Sequence, residues 1–212
     1  MEQLFPDLWQ TPLELRFGTL KSHAYLIQHS AGLELIYVAE EPSTLHDIKT
    51  SGNVDHLYLS HNHEITDGLA NAKSILGAPL VGHAETQKYF PTGQKLDRSI
   101  ETNGHAILSG GLEAIYTPGH TDNNICYRYA SPHGKTYLFV GDTLYPDNGE
   151  WRALVMENHG GNKKTLIKTL ERLKTVQAEV IIPSVAVGNY QIAGLTKSEW
   201  DTALDAAILS MQ

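Results

Sequence analysis

The chain has 212 residues, 41% of them hydrophobic and 19% charged, with a formal net charge of −8. That composition suits a folded core and excludes global disorder. The acidic balance, without a basic patch, argues against a nucleic-acid partner, since phosphate backbones would be repelled. No apolar run approaches the roughly 20 residues needed to span a bilayer, so no membrane partner is expected either.

The single cysteine, Cys126, permits no internal disulfide. The opening Met1-Glu2-Gln3-Leu4-Phe5-Pro6-Asp7 lacks the basic start and apolar stretch of a signal peptide. A cytoplasmic location is therefore the expectation, with one domain over 1–212.

The pattern predicts a β-rich first part. Ser22 to Gln28 and Leu33 to Val38 read as strands joined through Ser30-Ala31-Gly32. A short helix is expected over Thr44 to Thr50, then a buried strand His56 to Ser60. Asp67 to Leu76 repeats apolar residues at three- and four-residue steps and stops at Gly77, which predicts a helix. A strand Pro79 to His83 and a short helix Ala84 to Phe90 follow. Strands are predicted at Ala106 to Leu108, Glu113 to Tyr116, Asn124 to Tyr129 and Thr136 to Val140. Lys163 to Val176 carries Leu166, Leu170 and Leu173 on one helical face. A strand Val180 to Ile182 ends at Pro183, and Ser198 to Met211 closes the chain as an amphipathic helix. Two mostly β halves packed together and covered outside by helices are the expected arrangement.

Three polar motifs fall at strand ends. Ser60-His61-Asn62-His63 follows a buried strand, and in extended backbone residues i and i+2 project to one side, so both imidazoles can converge. In Thr117-Pro118-Gly119-His120-Thr121 a tight turn throws His120 outward. In Leu138-Phe139-Val140-Gly141-Asp142 an aspartate follows a strand and a glycine, where it caps a turn or binds a metal. Each motif alone reads as readily as ordinary structure. The order and spacing of all three carry more.

With those residues in place, the sequence resembles the metallo-β-lactamase superfamily over about Ser22 to Gly188. The family pattern is a strand followed by [ST]-H-x-H-x-D-H, then T-P-G-H-T, then G-D, then a late histidine after a strand. The resemblance implies an α+β fold, an αββα sandwich of two mixed β-sheets flanked by helices, with the site at the sheet edge. It implies that His61, His63 and His120 are metal ligands and that Asp142 is the metal-bridging carboxylate, also a catalytic candidate.

The departures form a pattern of their own. Ile65 and Thr66 stand where the family has aspartate and histidine. Pro183-Ser184-Val185 stands where it has Pro-Gly-His, and Ile36 to Glu40 lacks the aspartate the family commonly carries there. The losses at Ile65, Thr66 and Val185 all belong to the family's second metal position. The remaining set implies one divalent ion, zinc first and iron or manganese as alternatives, or no ion at all.

A metal-dependent hydrolase of small ester, thioester or lactone-like substrates is the function this resemblance implies. The alternatives are a non-catalytic binding or scaffold member and a mononuclear iron oxidoreductase in the same fold. Glu64 and Asp67 are candidate substitutes for the missing carboxylate, and His159 a candidate for lining the site. Cys126 reads as a small core residue.

Overall fold

Alternation along the strands decides which side chains face which layer, and the computed structural model, which describes residues 1–16, 20–192 and 194–211, follows it closely. A seven-stranded sheet runs in space as it does in sequence: Glu2–Phe5, Leu8–Gln10, Tyr25–His29, Gly32–Ile36, Val54–Tyr58, Leu80–His83 and Arg98–Ile100. Its last four strands pair in parallel and its first four antiparallel. The second sheet orders His105–Ile107, Glu113–Tyr116, Ile125–Ala130, Thr136–Gly141 and Val180–Pro183, antiparallel except for the last pair.

Between the sheets lies an aromatic layer. Tyr25 packs against Phe139 with ring centroids 5.9 Å apart, and Tyr58 against Tyr127 at 5.3 Å. The neighbours of these residues in sequence face the other way: Cys126 and Leu138 sit in a separate core with Leu166, Leu170, Leu173, Trp200 and Leu204. The helices Lys163–Leu173 and Lys197–Leu209 form that core and complete one outer layer.

The helices are α1 (Pro42–Ser51), α2 (Asp67–Leu76), α3 (Lys163–Leu173) and α4 (Lys197–Leu209). Buried faces of α1 (Leu45, Ile48) and α2 (Leu69, Ala72, Leu76) join the core of the larger sheet, which makes the other outer layer. Each fully buried leucine of α3 contributes roughly 1.5–3 kcal/mol. Thr196 and Glu199 form a capping box that starts α4. The architecture is the expected αββα sandwich of two mixed sheets.

Several element boundaries differ from the expectation, for local reasons. The strand predicted over Ser22 to Gln28 is broken: Leu20–Ser22 belongs to a small sheet with Glu14–Arg16 and Val185–Ala186, while Tyr25–His29 joins the seven-stranded one. The break comes where Ala24 N donates to Thr11 Oγ1 and the His23 ring bonds Thr11 O. The strand expected to reach Val38 ends at Ile36, because Tyr37 adopts φ +65°. The helix predicted to Val176 stops at Leu173. Ala84–Tyr89 forms a 3-10 helix. Edge strands at Arg98–Ile100, Tyr145–Asp147 and Glu150–Arg152 had no signal in the pattern.

Candidate metal centre

Five strand ends meet at one edge of the sandwich. Tyr37, just past the strand Gly32–Ile36, ties them together: its hydroxyl donates to Ile182 O and accepts from Gly141 N, both at 2.8 Å. Gly141 precedes Asp142, and Ile182 lies two residues before Ser184. The segment after Val54–Tyr58 carries His61 and His63 and is pinned to the second sheet by Ile125 N donating to Ser60 O at 2.8 Å. A reciprocal amide pair joins it to the turn that bears His120, with Asn62 N donating to Asn123 Oδ1 and Asn123 Nδ2 to Asn62 Oδ1, each at 2.8 Å.

Gly119 needs to be glycine. Its φ is +137°, and a Cβ there would stand 2.3 Å from the Leu166 Cα of α3. Asn162 N donates to Gly119 O, and Thr169 Oγ1 to Pro118 O at 2.7 Å, so α3 holds the turn from behind. His120 is thereby fixed on the inner side.

His61, His63, His120 and Asp142 each present one ligand atom, and these atoms lie within 4.8 Å of one another. His61 Nε2 is 3.3 Å and His120 Nε2 3.7 Å from Asp142 Oδ2, and His120 Nε2 is 3.3 Å from His63 Nδ1. The far side of each ring is committed elsewhere. His120 Nδ1 donates to Leu154 O at 2.7 Å. His61 Nδ1 faces Ser60 Oγ at 2.9 Å, and that hydroxyl donates to Glu64 Oε1. His63 Nε2 lies 2.5 Å from His159 Nδ1.

In the neutral rings the outer partners of His61 and His120 fix the tautomer and leave Nε2 as the lone pair. His61 Nε2 is buried and has no hydrogen-bond partner. Three imidazole nitrogens and a carboxylate converging on one point in a buried site call for a cation among them, a proton on His61 or a metal ion. The donor set fits a divalent metal of the N/O type.

The charges in the site respond accordingly. Burial opposes protonation of His61, but the Asp142 and Glu64 carboxylates outweigh it and push its pKa up to about 9. Burial and then the charge of His61 hold His63 down to about 3, and burial holds His120 down to about 4. Burial works against ionised Asp142, yet His61 and His120 keep it well below the usual carboxylate range. Without a metal the cluster keeps one positive charge beside Asp142.

All four residues singled out from the sequence are brought together. Glu64 is buried but lies on the outer side of His61, and Asp67 is exposed at the start of α2, so neither stands in for the missing carboxylate as a fourth inner group. His159 sits on the outer side of His63. Ile65 packs against the main core, and Thr66 Oγ1 donates to Glu40 Oε1 at 2.8 Å. Cys126 is fully buried and its thiol is pushed up to about 11 by that burial, as suits a core residue. His83 is stacked on Tyr116 at 4.3 Å, away from the centre. Sequence reading missed Leu154, whose contribution is a backbone carbonyl, and His23, which lines a narrow pocket together with His61, His63, Asp142, Ser184 and Val185.

The family model of the metallo-beta-lactamase superfamily matches residues 49–185. The chain belongs to the metallo-β-lactamase superfamily. Among solved structures, a metallo-beta-lactamase from Pontibacter korlensis superposes with a TM-score of 0.72 at 20% identity, covering 100% of this chain and 97% of that one. One from Hirschia baltica gives 0.68 at 17%, covering 97% and 95%. A structure described as a di-iron-bound form gives 0.64 at 21%, covering 85% and 93%. At those identities the likeness concerns the fold.

Among curated proteins, the hydroxyacylglutathione hydrolase of Aeromonas hydrophila is 33% identical over 96 residues, covering 43% of this chain and 34% of the relative. That of Rhodospirillum rubrum is 33% identical over 95 residues, with the same coverage. The chain spans about one third of the length of these relatives. Among the described residues no helix is long and apolar enough to cross a membrane.

Proposed function

We propose that the chain is a hydrolase that works with a single divalent ion, zinc first, on a small acyl substrate, a thioester before an ester or lactone. The convergence of three imidazole nitrogens and one carboxylate at the sheet edge carries this reading. The preference for a thioester rests on the relatives named as hydroxyacylglutathione hydrolases.

In this reading His61, His63 and His120 hold the ion, and Asp142 Oδ2 closes the set or orients a water beside it. The ion supplies Lewis acidity and a water that loses its proton near neutral pH. Leu154 O and the Ser60–Glu64 pair keep His120 and His61 in the ligating tautomer, and His159 lies against the outer nitrogen of His63. The narrow pocket lined by His23, Tyr37, Ser184 and Val185 opens beside the ligands and has room for the attacking water. His23 Nδ1 bonds Thr11 O at 2.8 Å, which leaves Nε2 as its basic nitrogen.

One observation favours a non-catalytic binding protein as the second reading. Ile65 stands where a carboxylate base would sit, and an aliphatic side chain takes no proton. Elemental analysis of the purified chain, with a panel of thioesters, esters and lactones, separates the two. Metal with turnover supports the hydrolase, and metal without turnover supports the binding protein. Iron with oxygen consumption points to an oxidoreductase. No metal overturns the proposal.

A further inference from the structure

The strands Thr136–Gly141 and Val180–Pro183 run in parallel with Gly141 opposite Pro183. The next residue of each, Asp142 and Ser184, therefore leaves the sheet beside the other, and Ser184 N donates to Gly141 O at 3.2 Å. The two oxygens of Asp142 then have different partners. Oδ2 faces His61 and His120, and Oδ1 accepts the hydrogen of the buried Ser184 hydroxyl.

None of the three positions that depart from the family pattern offers a free ligand there. Val185 lines the same cavity with an isopropyl group, Ile65 is packed into the core, and the Thr66 hydroxyl is committed to Glu40. A carboxylate that bridged two ions through its two oxygens would need both of them free. Here one is taken by a neutral donor that brings no charge, so the full negative charge of Asp142 serves a single ion. A hydroxyl bonded to a carboxylate is also among the stronger hydrogen bonds and fixes the rotation of the group.

We infer that Ser184 is a positioning residue whose hydroxyl takes the place of a second cation at Asp142 Oδ1, aims Oδ2 at the three imidazoles and keeps the centre to one ion. The inference rests on the assignment of His61, His63, His120 and Asp142 as ligands.

Titrating the metal-free full-length chain with Co²⁺, followed by visible absorption, tests it. The wild-type chain takes up about one ion, with a single saturating spectrum. Ser184→Ala weakens that binding about 10–100-fold, the loss typical of removing an outer partner of a ligand, and alters the Co²⁺ bands. Ser184→Thr keeps the hydroxyl and restores both. Ser184→Gly behaves as the alanine variant and carries the test if alanine does not fold, which circular dichroism reports. Wild-type affinity and an unchanged spectrum in both the alanine and glycine variants overturn the role of Ser184 while leaving the ligand assignment intact. A folded wild-type chain that binds no Co²⁺ overturns the assignment and this inference together.

Discussion

Two clusters of histidine and carboxylate occupy the edges of the larger sheet, and only one suits a metal. At the site edge, His61, His63 and His120 have their outer nitrogens tied to Ser60, His159 and Leu154 O. At the hairpin end, His29 Nδ1 accepts from Ala31 N and His56 Nε2 accepts from Arg98. Their other nitrogens, 3.3 and 3.0 Å from the buried Glu34, therefore carry hydrogens. Burial and then the Asp55 carboxylate hold Glu34 up to about 8. One cluster turns its inner ring nitrogens and a carboxylate to a shared point, and the other turns ring N–H groups onto Glu34. Residue type does not separate them; the partner on the far side of each ring does.

The largest expected effect breaks this contrast outright. His120→Ala should lower metal affinity by more than the roughly 10–100-fold that loss of an outer partner gives, and equilibrium dialysis measures it. His56→Ala should leave metal binding unchanged and cost about 1–3 kcal/mol of stability, since Glu34 loses a buried donor; denaturant unfolding checks that. Equal metal loss in both variants would erase the distinction.

The combined change Ile65→Asp, Thr66→His and Val185→His should raise metal per chain toward two, because it restores three ligands at the vacated position. Stability should fall as polar groups enter space packed by aliphatic ones. Stoichiometry fixed at one would mean that Asp142 Oδ1 is not released.

A smaller change is expected at the outer partner. His159→Ala should weaken metal binding about 10–100-fold, whereas His83→Ala, on the Tyr116 stack, should not alter it. A cobalt titration of both variants decides the order.

The smallest effect concerns the hairpin cluster. The folded chain keeps a proton on Glu34 between its ordinary value of 4.5 and about 8, where the unfolded chain has released it. This group's contribution to stability therefore declines as pH rises through that window and is level above it. Glu34→Gln removes the decline, so its Tm relative to wild type should climb by a few degrees from pH 5 to pH 8. A pH-independent difference would show that Glu34 is ionised throughout.

These contrasts also mark how far the sequence could be read. His61, His63, His120 and Asp142 were legible because each follows a strand end, where a short motif determines direction. The period-two strands and the α3 leucines were legible because their neighbours are local. Ser184 was visible only as a departure from a pattern, since its partner Asp142 lies 42 residues away. Leu154 contributes a carbonyl that every residue possesses. The break at His23 and Ala24 depends on Thr11, which composition does not reveal. Short edge strands such as Glu150–Arg152 depend on a pairing partner more than on their own residues.

Metal content per chain tests the central claim most directly. The protein, purified without added metal, loaded with Zn²⁺ and dialysed against a weak chelator, should retain about one ion per chain by elemental analysis. His120→Ala treated in the same way should retain far less. Two ions retained by the wild-type chain, or none, would contradict a one-ion centre built from three imidazole nitrogens and one oxygen of Asp142.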